Sequence, residues 1–513
     1  MIHSRKLESD SPYLTDESKL SGAADMLFIP DDEEDVVKIV VSHNSSKTPL
    51  TISAMRTGVC GGCVPKEGDI VSMEKFNKII GIGKDDKGYF IRTQAAVTVK
   101  DLNEIIRKKL YSELQNITDD AIECILSERT DYFYPVDPTE LNGSIGGNIS
   151  TNASGPRTYK YGPTRDWVRR IRIILSDGNV LDILRGEIKA KNRVFSIPVD
   201  GKNITVHIPS YEFNRDVKNT TGLMTGPDMD LIDLFIGSEG MFGIITEADI
   251  YITEWHPLMS NIIFFPSDDN AYNFVKEFVN SHIDPEFIEF FDTGSLNLIR
   301  KSKKNDPKFT KMPDIPDYAG SAIFFDISND ENIVSKYNEL SQIAKIYGGS
   351  LDHSWCGHEL KDRERFFAFR HSVPQTIFEY VASLKGSMPG MHKMGTDMSV
   401  PLDHLDEMID SYSEVLTSKK LEYVIFGHIG NGHLHVEIIL KSMDDLSKAK
   451  KAYRTLALRS IELGGSPSAE HGIGKIKSEY IELLYGKQGV EDIKKTKREL
   501  DPNWIFCPGN VVE

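Results

Sequence analysis

Residues 142–155 read Asn-Gly-Ser-Ile-Gly-Gly-Asn-Ile-Ser-Thr-Asn-Ala-Ser-Gly, and no other stretch says more about the fold. Most of these residues are Gly, Asn, Ser or Thr, so the segment offers many hydrogen-bond donors and almost no bulk. A backbone without large side chains approaches a ligand closely. The composition therefore predicts a loop wrapped around a polar ligand, and Pro135-Val-Asp-Pro138 leads into it.

Three further clusters of small residues lie along the chain. The first, Ser53-Ala-Met-Arg-Thr-Gly-Val-Cys-Gly-Gly-Cys-Val-Pro65, follows a predicted strand. Its adjacent glycines would let backbone N–H groups converge on an anion such as a pyrophosphate, although glycine alone suits an ordinary loop equally well. The others are Lys218-Asn-Thr-Thr-Gly222 and Gly237-Ser-Glu-Gly-Met-Phe-Gly243. None matches GxGxxG or GxxxxGK(S/T), which disfavours a nicotinamide dehydrogenase and a P-loop NTPase.

The pair Cys60-x-x-Cys63 lies in the first of these clusters and admits two chemical interpretations, a redox dithiol or half of a zinc site. The chain has no second CxxC to complete four thiolate ligands, and no thioredoxin-like pattern surrounds the pair. We therefore predict a pair of loop cysteines without a redox role.

The length and charge of the chain limit the classes of function. Its 513 residues suit two or three domains, and its formal net charge of −17 would repel phosphate backbones, so nucleic-acid binding is not expected. No apolar run approaches the ~20 residues of a membrane span. Residues 1–19 are polar and have no apolar core of a secretory signal. Five cysteines, an odd number, favour reduced thiols and a cytoplasmic location.

Hydrophobic periodicity and turn residues predict a mixture of helices and strands in the first half of the chain. The acidic run 31–35 predicts a helix start, because acids favour the positive end of the helix dipole. The other predicted elements are strands at 49–54, 70–73 and 89–98, a helix at 101–110, a hairpin of 168–175 with 180–184 around Asp177-Gly178, and an excursion at 185–230 that contains strands 195–199 and 204–208.

A domain boundary is predicted near residue 255, after the apolar stretch 244–252. Beyond it the pattern predicts strands at 261–265 and 322–327, helices at 270–281 and 332–347, and a mainly helical final hundred residues.

Two histidine-rich segments carry the strongest chemical signal in the chain. They are Phe426-Gly-His-Ile-Gly-Asn-Gly-His-Leu-His-Val-Glu437 and Ser468-Ala-Glu-His-Gly-Ile-Gly-Lys475. Imidazole and carboxylate ligands suit a divalent ion such as Zn²⁺ or Mn²⁺. If the first segment ends in a strand, His433, His435 and Glu437 share one face of it. Single histidines are usually surface or hydrogen-bonded residues, but three within eight residues, followed by an adjacent Glu-His pair, favour a site.

Taken in order, these motifs resemble the vanillyl-alcohol oxidase superfamily of flavoproteins, which carry a PCMH-type FAD-binding domain. Within it they resemble the D-2-hydroxyacid dehydrogenase branch, over roughly residues 20–513. The resemblance implies an α+β fold with a two-subdomain FAD-binding domain, and a substrate (cap) domain with an antiparallel sheet and a helical C-terminal segment. The implied boundaries are an N-terminal arm at 1–25, the FAD-binding domain at 26–254 and the substrate and metal domain at 255–513.

The resemblance also implies which residues contact a non-covalent FAD, since neither flavin-loop motif contains the histidine that a covalent link would need. We call residues 53–65 the first flavin loop and residues 142–155 the second. One departure is evident: where the family usually has Arg-Gly-Gly-Gly-Thr, this chain has Ser53-Ala-Met-Arg-Thr57, so the loop approaches the phosphates differently or Arg56 adds a positive charge there. The implied contacts are Thr57, Gly58, Gly61, Gly62, Pro135, Thr139, Gly146, Gly147, Thr151, Asn152 and Ile245.

The histidine-rich segments acquire roles by the same resemblance. The implied metal ligands are His428, His435 and Glu470, and His471 matches the proposed catalytic base. Arg370 matches the arginine that clamps the substrate carboxylate, and Lys393 lies close to a family lysine at a different spacing.

Two positions depart from the family pattern. His433 stands where the family commonly has Asn, and Glu437 stands where the family often has an Asn that helps bind substrate. A carboxylate at 437 argues against a dicarboxylic substrate such as 2-hydroxyglutarate.

The resemblance predicts an FAD-dependent dehydrogenase that oxidises a 2-hydroxy acid, similar to D-lactate or glycolate, to the 2-oxo acid. A divalent metal is expected to assist the reaction, and zinc is the favoured metal. Three alternatives remain: an oxidase or synthase acting on other alcohols on the same fold, a flavin-free zinc hydrolase, and a subunit that keeps FAD without catalysis. The sequence has no clustered cysteines for an iron–sulfur centre and no haem motif. The electron acceptor is therefore oxygen, a quinone or a separate protein, and we favour a separate protein, an electron-transfer flavoprotein or an iron–sulfur subunit. A homo-oligomer is a candidate assembly.

Overall fold

The acidic run that predicts a helix start does begin the first long helix. Asp32 caps α1 (Glu33–Ser46), because its side chain accepts the backbone N–H of Asp35 at 2.9 Å. Val36 and Val40 are fully buried on the inner face of this helix. The computed structural model describes residues 2–305, 309, 312–384, 386–388 and 391–513.

A four-stranded sheet lies next to α1, in the order β1-β2-β4-β3. Its strands are β1 (His3–Lys6), β2 (Met26–Ile29), β3 (Leu50–Ser53) and β4 (Asp69–Ser72). β4 pairs in parallel with β2 and β3, whereas β1 pairs antiparallel with β2. The predicted N-terminal arm thus contributes an edge strand to this sheet, and α1 provides the crossover from β2 to β3.

A six-stranded sheet forms the second layer of the first half of the chain, in the order β10-β9-β13-β6-β5-β7. Its strands are β5 (Ile79–Asp85), β6 (Gly88–Gln94), β7 (Gln115–Asn116), β9 (Val168–Ile174), β10 (Val180–Leu184) and β13 (Ile244–Tyr251). The predicted hairpin is confirmed, since β9 and β10 pair antiparallel around Asp177-Gly178, with Ile174 opposite Val180.

Shorter elements connect these two sheets. They are β8 (Tyr132–Phe133), β11 (Val194–Val199), β12 (Lys202–His207), β14 (Thr253–Glu254), α2 (Val99–Arg107), α3 (Ala121–Ser127), α4 (Ile145–Thr151), α5 (Thr158–Tyr161), α6 (Thr164–Trp167) and α7 (Leu231–Phe235). The excursion is confirmed as the separate hairpin β11–β12.

An eight-stranded antiparallel sheet organises the second half, in the order β18-β15-β17-β16-β21-β22-β19, with β20 also paired to β22. Its strands are β15 (Leu258–Phe265), β16 (Phe287–Phe291), β17 (Ser321–Ser328), β18 (Trp355–Gly357), β19 (Met394–Gly395), β20 (Met398–Ser399), β21 (Glu422–Gly427) and β22 (His433–Ile439). This sheet and the helices around it enclose the largest hydrophobic core. The α+β class and the antiparallel cap sheet are confirmed.

The helices of the second half alternate with these strands, and the last two helices follow the final strand. The helices are α8 (Asp268–Phe278), α9 (Thr293–Asn305), α10 (Ile333–Ile346), α11 (Leu360–Leu384), α12 (Leu405–Ser418), α13 (Met443–Glu462) and α14 (Glu479–Leu500). Short 3-10 turns occur at Pro12–Leu14, Leu110–Glu113, Leu351–His353, Leu402–His404 and Ile429–Asn431. Across the residues that the structure describes, no helix is long and apolar enough to cross a membrane.

The C-terminal tail returns to the first half of the chain. The N–H of Leu50 donates to the carbonyl of Ile505 at 2.7 Å, and the N–H of Cys507 donates to the carbonyl of Leu50 at 3.1 Å. Ile493 of α14 shares a core with Ile171 of β9. Residues far apart in sequence therefore meet around the flavin loops, and the boundaries at residues 25 and 254 stay predictions.

Candidate active site

One predicted ligand histidine lies on strand β22, and the other directly follows the adjacent strand β21. β21 and β22 pair antiparallel with Phe426 opposite His435, and His428 follows the end of β21. Gly427 makes this arrangement fit, because a Cβ at that position would lie 2.8 Å from Cδ2 of His435. Its φ of +120° also disfavours other residues. A turn of 3-10 helix then carries the chain from His428 to the start of β22.

Glu470 approaches the histidines from the loop between α13 and α14. Its Oε2 lies 3.4 Å from Nε2 of His428, and its Oε1 lies 3.4 Å from Nε2 of His435. His433 adds a third imidazole, with Nδ1 3.8 Å from Oε2. One potential ligand atom from each of the four residues lies within 4.8 Å of all the others. The structure thus brings the predicted trio together; their role as metal ligands stays a prediction.

Hydrogen bonds on the far side of each ring set the tautomers of His428 and His435. Nδ1 of His428 donates to the Glu289 carboxylate, and Nδ1 of His435 faces the carbonyl of Thr396 at 3.3 Å. Because both acceptors hold a proton on Nδ1, Nε2 is the nitrogen of each ring that faces Glu470 and that can bind a metal. Three imidazoles and a carboxylate are a donor set that Zn²⁺ accepts, so the residues present fit a metal.

Lys218 is a neighbour of this cluster that sequence reasoning did not assign. Its Nζ donates to Glu470 Oε2 and to the carbonyl of Gly155, both at 3.0 Å, and its side chain is 3% exposed. Burial raises the pKa of Glu470, but Lys218 and His428 outweigh that effect and hold it well below its usual range. Glu470 is therefore an anion. The sequence drew attention to the cluster 218–222, but nothing in it indicated that Lys218 contacts Glu470.

Asp397 holds the loop that carries Glu470 and His471. Its carboxylate accepts the N–H of Glu470 at 3.2 Å, the N–H of His471 at 3.1 Å and the ammonium of Lys477 at 2.6 Å. Burial raises the pKa of Asp397, but His471 and Lys477 outweigh it and hold this pKa well below its usual range. Sequence reasoning missed Asp397, although it stands only four residues after Lys393.

His471 is the most exposed of the clustered histidines, with 36% of its side chain accessible against 14% for His435. Its Nε2 lies 3.7 Å from Glu470 Oε1. Burial lowers the pKa of His471, which favours the neutral ring that a base requires. The predicted base therefore lies directly beside the predicted ligand.

Arg370 reaches the same region from α11. Its Nε donates to Glu289 Oε2 at 3.1 Å, so the carboxylate that contacts His428 also contacts the predicted substrate clamp. Glu289 was not identified from the sequence, because nothing near it marks a site.

Lys393 forms an ion pair with Glu437, Nζ to Oε1, at 2.5 Å. Glu437 is 4% exposed. Lys393 therefore offsets the charge of Glu437, and the repulsion that the sequence implied for a second substrate carboxylate is weaker than expected. The catalytic role of Lys393 itself stays a prediction.

Two glycines of the first flavin loop have open space beside them, so packing within the protein does not explain why these positions are glycine. A Cβ at Gly58 or Gly62 would meet its nearest neighbours only at 3.8 and 3.7 Å, and neither residue has a positive φ. Space of this kind fits a ligand that approaches the backbone. Gly147 of the second loop is exposed, but a Cβ there would lie 2.9 Å from Oγ of Ser144, which accepts the N–H of Gly147 at 3.1 Å.

Gly146 has a different reason to be glycine. A Cβ there would lie 2.8 Å from Cβ of Ala95, and its N–H donates to the Ala95 carbonyl at 2.7 Å. Close packing between α4 and the end of β6 therefore explains Gly146 without a cofactor.

The flavin loops also meet each other and leave a donor without a partner. Thr57 Oγ1 lies 3.5 Å from the Cβ position of Gly143, and the N–H of Glu239 donates to the Ser150 carbonyl at 2.8 Å. Nδ2 of Asn148 is buried and has no hydrogen-bond partner among the described residues. An orphaned amide between two glycine-rich loops fits a polar cofactor such as FAD.

The other predicted flavin residues lie around the same loops. Asn152 ends α4 with a left-handed φ of 48°, and its Oδ1 accepts the N–H of Arg165 at 3.0 Å. Thr151 Oγ1 donates to the carbonyl of Gly147 at 3.1 Å. The remaining positions are Gly61 with a positive φ, Pro135 buried, Thr139 exposed and Ile245 8% exposed on β13. Each contact with FAD stays a prediction.

Arg56, the departure from the family loop, is directed toward the N-terminal arm. Its guanidinium lies 4.5 Å from the centre of the Tyr13 ring, and its Nη1 donates to the carbonyl of Ala54 at 3.0 Å. The neighbouring thiols of Cys60 and Cys63 are free, and burial raises the pKa of each to about 12. Such thiols stay protonated, which supports a pair without a redox role.

Comparison with known families decides the class of the protein. The model of the C-terminal domain of FAD linked oxidases matches residues 259–511. The model of an FAD binding domain matches residues 24–121 and 117–184. The chain belongs to the FAD-linked oxidases.

Curated relatives match this FAD-linked oxidase over nearly its whole length. The glycolate oxidase subunit GlcD of Bacillus subtilis is 24% identical over 95% of this chain and 88% of its own. The D-lactate dehydrogenase of Anaerostipes hadrus is 25% identical over 98% and 93%. The D-2-hydroxyglutarate dehydrogenase of Stutzerimonas stutzeri is 24% identical over 95% and 91%.

A solved structure of an alkyldihydroxyacetonephosphate synthase shares the fold of this oxidase. It superposes with a TM-score of 0.60 at 14% identity, over 96% of this chain and 77% of that chain. At that identity the likeness concerns the fold alone. The predicted recognition, fold class and enzyme class are confirmed, and the FAD-binding domain favours a flavoenzyme over the flavin-free hydrolase.

Proposed function

We propose that this FAD-linked oxidase oxidises a 2-hydroxy acid of the D-lactate or glycolate type to the 2-oxo acid, assisted by a divalent metal. The observation that carries the proposal is the convergence of His428, His435 and Glu470 next to His471, with Arg370 joined to the cluster through Glu289. The relatives named as acting on glycolate, D-lactate and D-2-hydroxyglutarate support the substrate class.

The proposed metal ligands are His428, His435 and Glu470, and zinc is the first candidate. A divalent ion on these three residues would polarise the substrate hydroxyl and lower its pKa. His433 is fully buried, and burial lowers its pKa to about 3. It is therefore a neutral neighbour that also offers a lone pair to the cluster.

His471 is the proposed general base. Asp397 lies 3.4 Å from Nδ1 of His471, so Nδ1 carries the ring proton and Nε2 is the nitrogen that accepts the hydroxyl proton. When bound, FAD supplies the acceptor for the α-hydrogen and its two electrons. Loss of the hydroxyl proton to His471 and of the α-hydrogen to the acceptor converts the alcohol into the carbonyl of the 2-oxo acid.

Arg370 is the proposed clamp for the carboxylate of the substrate. A guanidinium presents a planar fork that matches two carboxylate oxygens. A cavity of about 330 Å³ opens beside Lys218, and Ser154, Asn431 and Ala469 also line it. Lys218 links this cavity to the cluster, because its Nζ also donates to Glu470 Oε2 at 3.0 Å.

The proposed electron acceptor is a separate protein, an electron-transfer flavoprotein or an iron–sulfur subunit. All five cysteines are free in the structure, and in its described part the histidine–glutamate cluster is the one group of metal-ligating side chains, so no second redox centre receives the electrons within these residues. The free cysteines also support a cytoplasmic location as part of this proposal. A homo-oligomer is part of the proposal as well.

Single-turnover flavin reduction tests the function. The purified protein, loaded with FAD and zinc, is mixed without oxygen with D- and L-lactate, glycolate, D-2-hydroxyglutarate and a simple alcohol. We expect the D-acids or glycolate to bleach the flavin, and the alcohol to leave it oxidised because it lacks the carboxylate for Arg370. Flavin that stays oxidised with every acid would identify a subunit that keeps FAD without catalysis. Reduction by the alcohol would favour an oxidase of other alcohols.

A further inference from the structure

Glu289 lies between the proposed metal centre and the proposed carboxylate clamp. Its Oε1 accepts from Nδ1 of His428, and its Oε2 accepts from Nε of Arg370 at 3.1 Å. The residue is 1% exposed and stands on β16 opposite Phe324 of β17. One buried carboxylate therefore supports a histidine from the end of β21 and an arginine from α11.

Both partners of Glu289 are donors, and each takes a different oxygen. A carboxylate beside a guanidinium accepts hydrogen bonds through both of its oxygens. A neutral amide of the same shape accepts through one atom and donates through the other, so it would serve only one of the two partners.

We propose that Glu289 is the positioning residue that joins metal binding to substrate binding, by fixing the tautomer of His428 with one oxygen and the guanidinium of Arg370 with the other. The inference rests on the proposed function. The carboxylate keeps the proton of His428 on Nδ1, so Nε2 stays available as a ligand. It also holds Nε of Arg370, so an incoming carboxylate would bind through the Nη groups, of which Nη1 lies 3.4 Å from Nε2 of His371.

The variant that tests this role is Glu289→Gln. If the amide nitrogen faces His428, Nδ1 must become an acceptor, the proton moves to Nε2, and the ligand lone pair is lost. If it faces Arg370, two donors oppose each other and the guanidinium loses its support. Because a donor–donor contact is costly in a buried site, either arrangement weakens one function.

A matched control exists three residues away. Glu286 is also buried, at 3% exposure, and accepts from Nζ of Lys160 at 2.9 Å and from the hydroxyl of Tyr161 at 2.8 Å. Glu286→Gln therefore removes a buried charge from the same region without touching His428 or Arg370. Comparing the melting temperatures of the two variants separates a loss of stability from a loss of position.

Zinc affinity is measured on the FAD-loaded protein by equilibrium dialysis against buffered free Zn²⁺, followed by elemental analysis. We expect Glu289→Gln to bind zinc about 10–100-fold more weakly than the wild type, as for other residues that orient a metal-bound histidine. At zinc concentrations that saturate both proteins, half-maximal flavin reduction should still need several-fold more D-lactate in the variant. Glu286→Gln should match the wild type in both measurements.

The outcomes separate this inference from the proposed function. Wild-type zinc affinity and wild-type D-lactate dependence in a folded Glu289→Gln variant would overturn the inference. A wild-type protein that binds no zinc would refute the proposed metal centre. The D-lactate dependence of the variant would then test only the contact between Glu289 and Arg370.

The chain also offers a conservative variant, which decides the case if Glu289→Gln fails to fold. Glu289→Asp keeps the charge but shortens the side chain. Its carboxylate is one methylene too short to keep both contacts, so we expect either weaker zinc binding or a higher D-lactate concentration for half-maximal flavin reduction than in the wild type. A folded Glu289→Asp variant that matches the wild type in both measurements would contradict the proposal.

Discussion

Asp397 Oδ2 lies 3.4 Å from Nδ1 of His471, and the same carboxylate accepts the backbone N–H of that residue at 3.1 Å. The aspartate side chain is 1% exposed, whereas the histidine is 36% exposed. A buried anion thus holds both the backbone and the inner nitrogen of a ring whose Nε2 faces Glu470. A carboxylate on Nδ1 directs the acceptor lone pair to Nε2, as a general base requires.

The first prediction concerns this base. His471→Asn keeps a hydrogen-bonding group of similar shape but cannot accept a proton near neutral pH, so flavin reduction by substrate should slow about 10²–10⁴-fold. Zinc and FAD contents should not change. Stopped-flow flavin reduction measures the rate, and His404→Asn is the control, because His404 is an exposed residue bonded to Glu407. Reduction at the wild-type rate in His471→Asn would move the base to another residue.

The second prediction concerns the metal. His435→Ala should lose bound zinc and lower turnover by orders of magnitude, because it removes a nitrogen 3.4 Å from Glu470. FAD should stay bound, since the flavin loops lie elsewhere in the chain. Elemental analysis and flavin absorbance check both statements, with the exposed His256→Ala as control. Unchanged zinc content in His435→Ala would remove this residue from the ligand set.

The third prediction separates the adjacent glycines of the second flavin loop. Gly147→Val should give a folded but weakly yellow protein, because Gly147 is exposed and the atom nearest its Cβ position, the Ser144 hydroxyl at 2.9 Å, ends a side chain that can rotate. Gly146→Val should instead lower the melting temperature of the FAD-free protein, because its side chain would collide with Ala95. Flavin-to-protein ratios and melting curves distinguish the two variants. Full flavin occupancy in Gly147→Val would mean that the cofactor does not approach this backbone.

The fourth prediction concerns the carboxylate clamp. Arg370→Lys keeps the charge and loses the planar fork, so both the apparent affinity for the 2-hydroxy acid and the rate of reduction should fall, the affinity by about tenfold or more. The substrate dependence of single-turnover reduction measures the two effects separately. The exposed Arg365→Lys on the same helix serves as control. A loss of rate without any loss of affinity would argue that Arg370 does not bind the carboxylate.

The fifth prediction concerns the pH dependence of stability at Asp292, which accepts the N–H of Ser295 at 2.7 Å. Burial raises the pKa of Asp292 to about 7. The folded state therefore holds this proton more tightly than the unfolded state, so the contribution to stability is complete below about pH 4 and is lost as the pH rises through about 7.

The size of the effect follows from the shift. Between pH 4 and pH 8 the wild type should lose about 4 kcal/mol relative to Asp292→Asn, which cannot ionise. Melting temperatures across this range measure the difference, and Asp410→Asn, changed at an exposed aspartate of α12, should follow the wild type. A constant difference between wild type and Asp292→Asn would show that Asp292 keeps its proton or its charge throughout.

The sequence predicted the local structure well where a short pattern suffices. The acidic start of α1, the hairpin around Asp177-Gly178 and the excursion β11–β12 all occur as predicted, and the helices predicted at 270–281 and 332–347 are present as α8 and α10. His428 and His435 belong to this class as well. Three histidines within eight residues, followed by a Glu-His pair, indicated a site, and the pairing of β21 with β22 brings His428 and His435 to Glu470.

Tertiary structure alone decided which groups support that site. Glu289 is 139 positions from His428, Lys218 is 252 from Glu470, and Asp397 is 74 from His471. No periodicity or motif spans such separations, because these contacts depend on which strands become neighbours in the eight-stranded sheet and on how the chain returns from α14 to the flavin loops.

The adjacent glycines show the same division at a single motif. The sequence of the second flavin loop predicted that its small residues surround a ligand. That prediction explained Gly146 and Gly147 equally well. Only the packed structure shows that Ala95 excludes a side chain at Gly146, whereas Gly147 is exposed and the atom nearest its Cβ position is the hydroxyl of Ser144. Composition determines that a loop consists of small, polar residues. The positions of the surrounding chain segments decide which atoms of that loop a cofactor can reach.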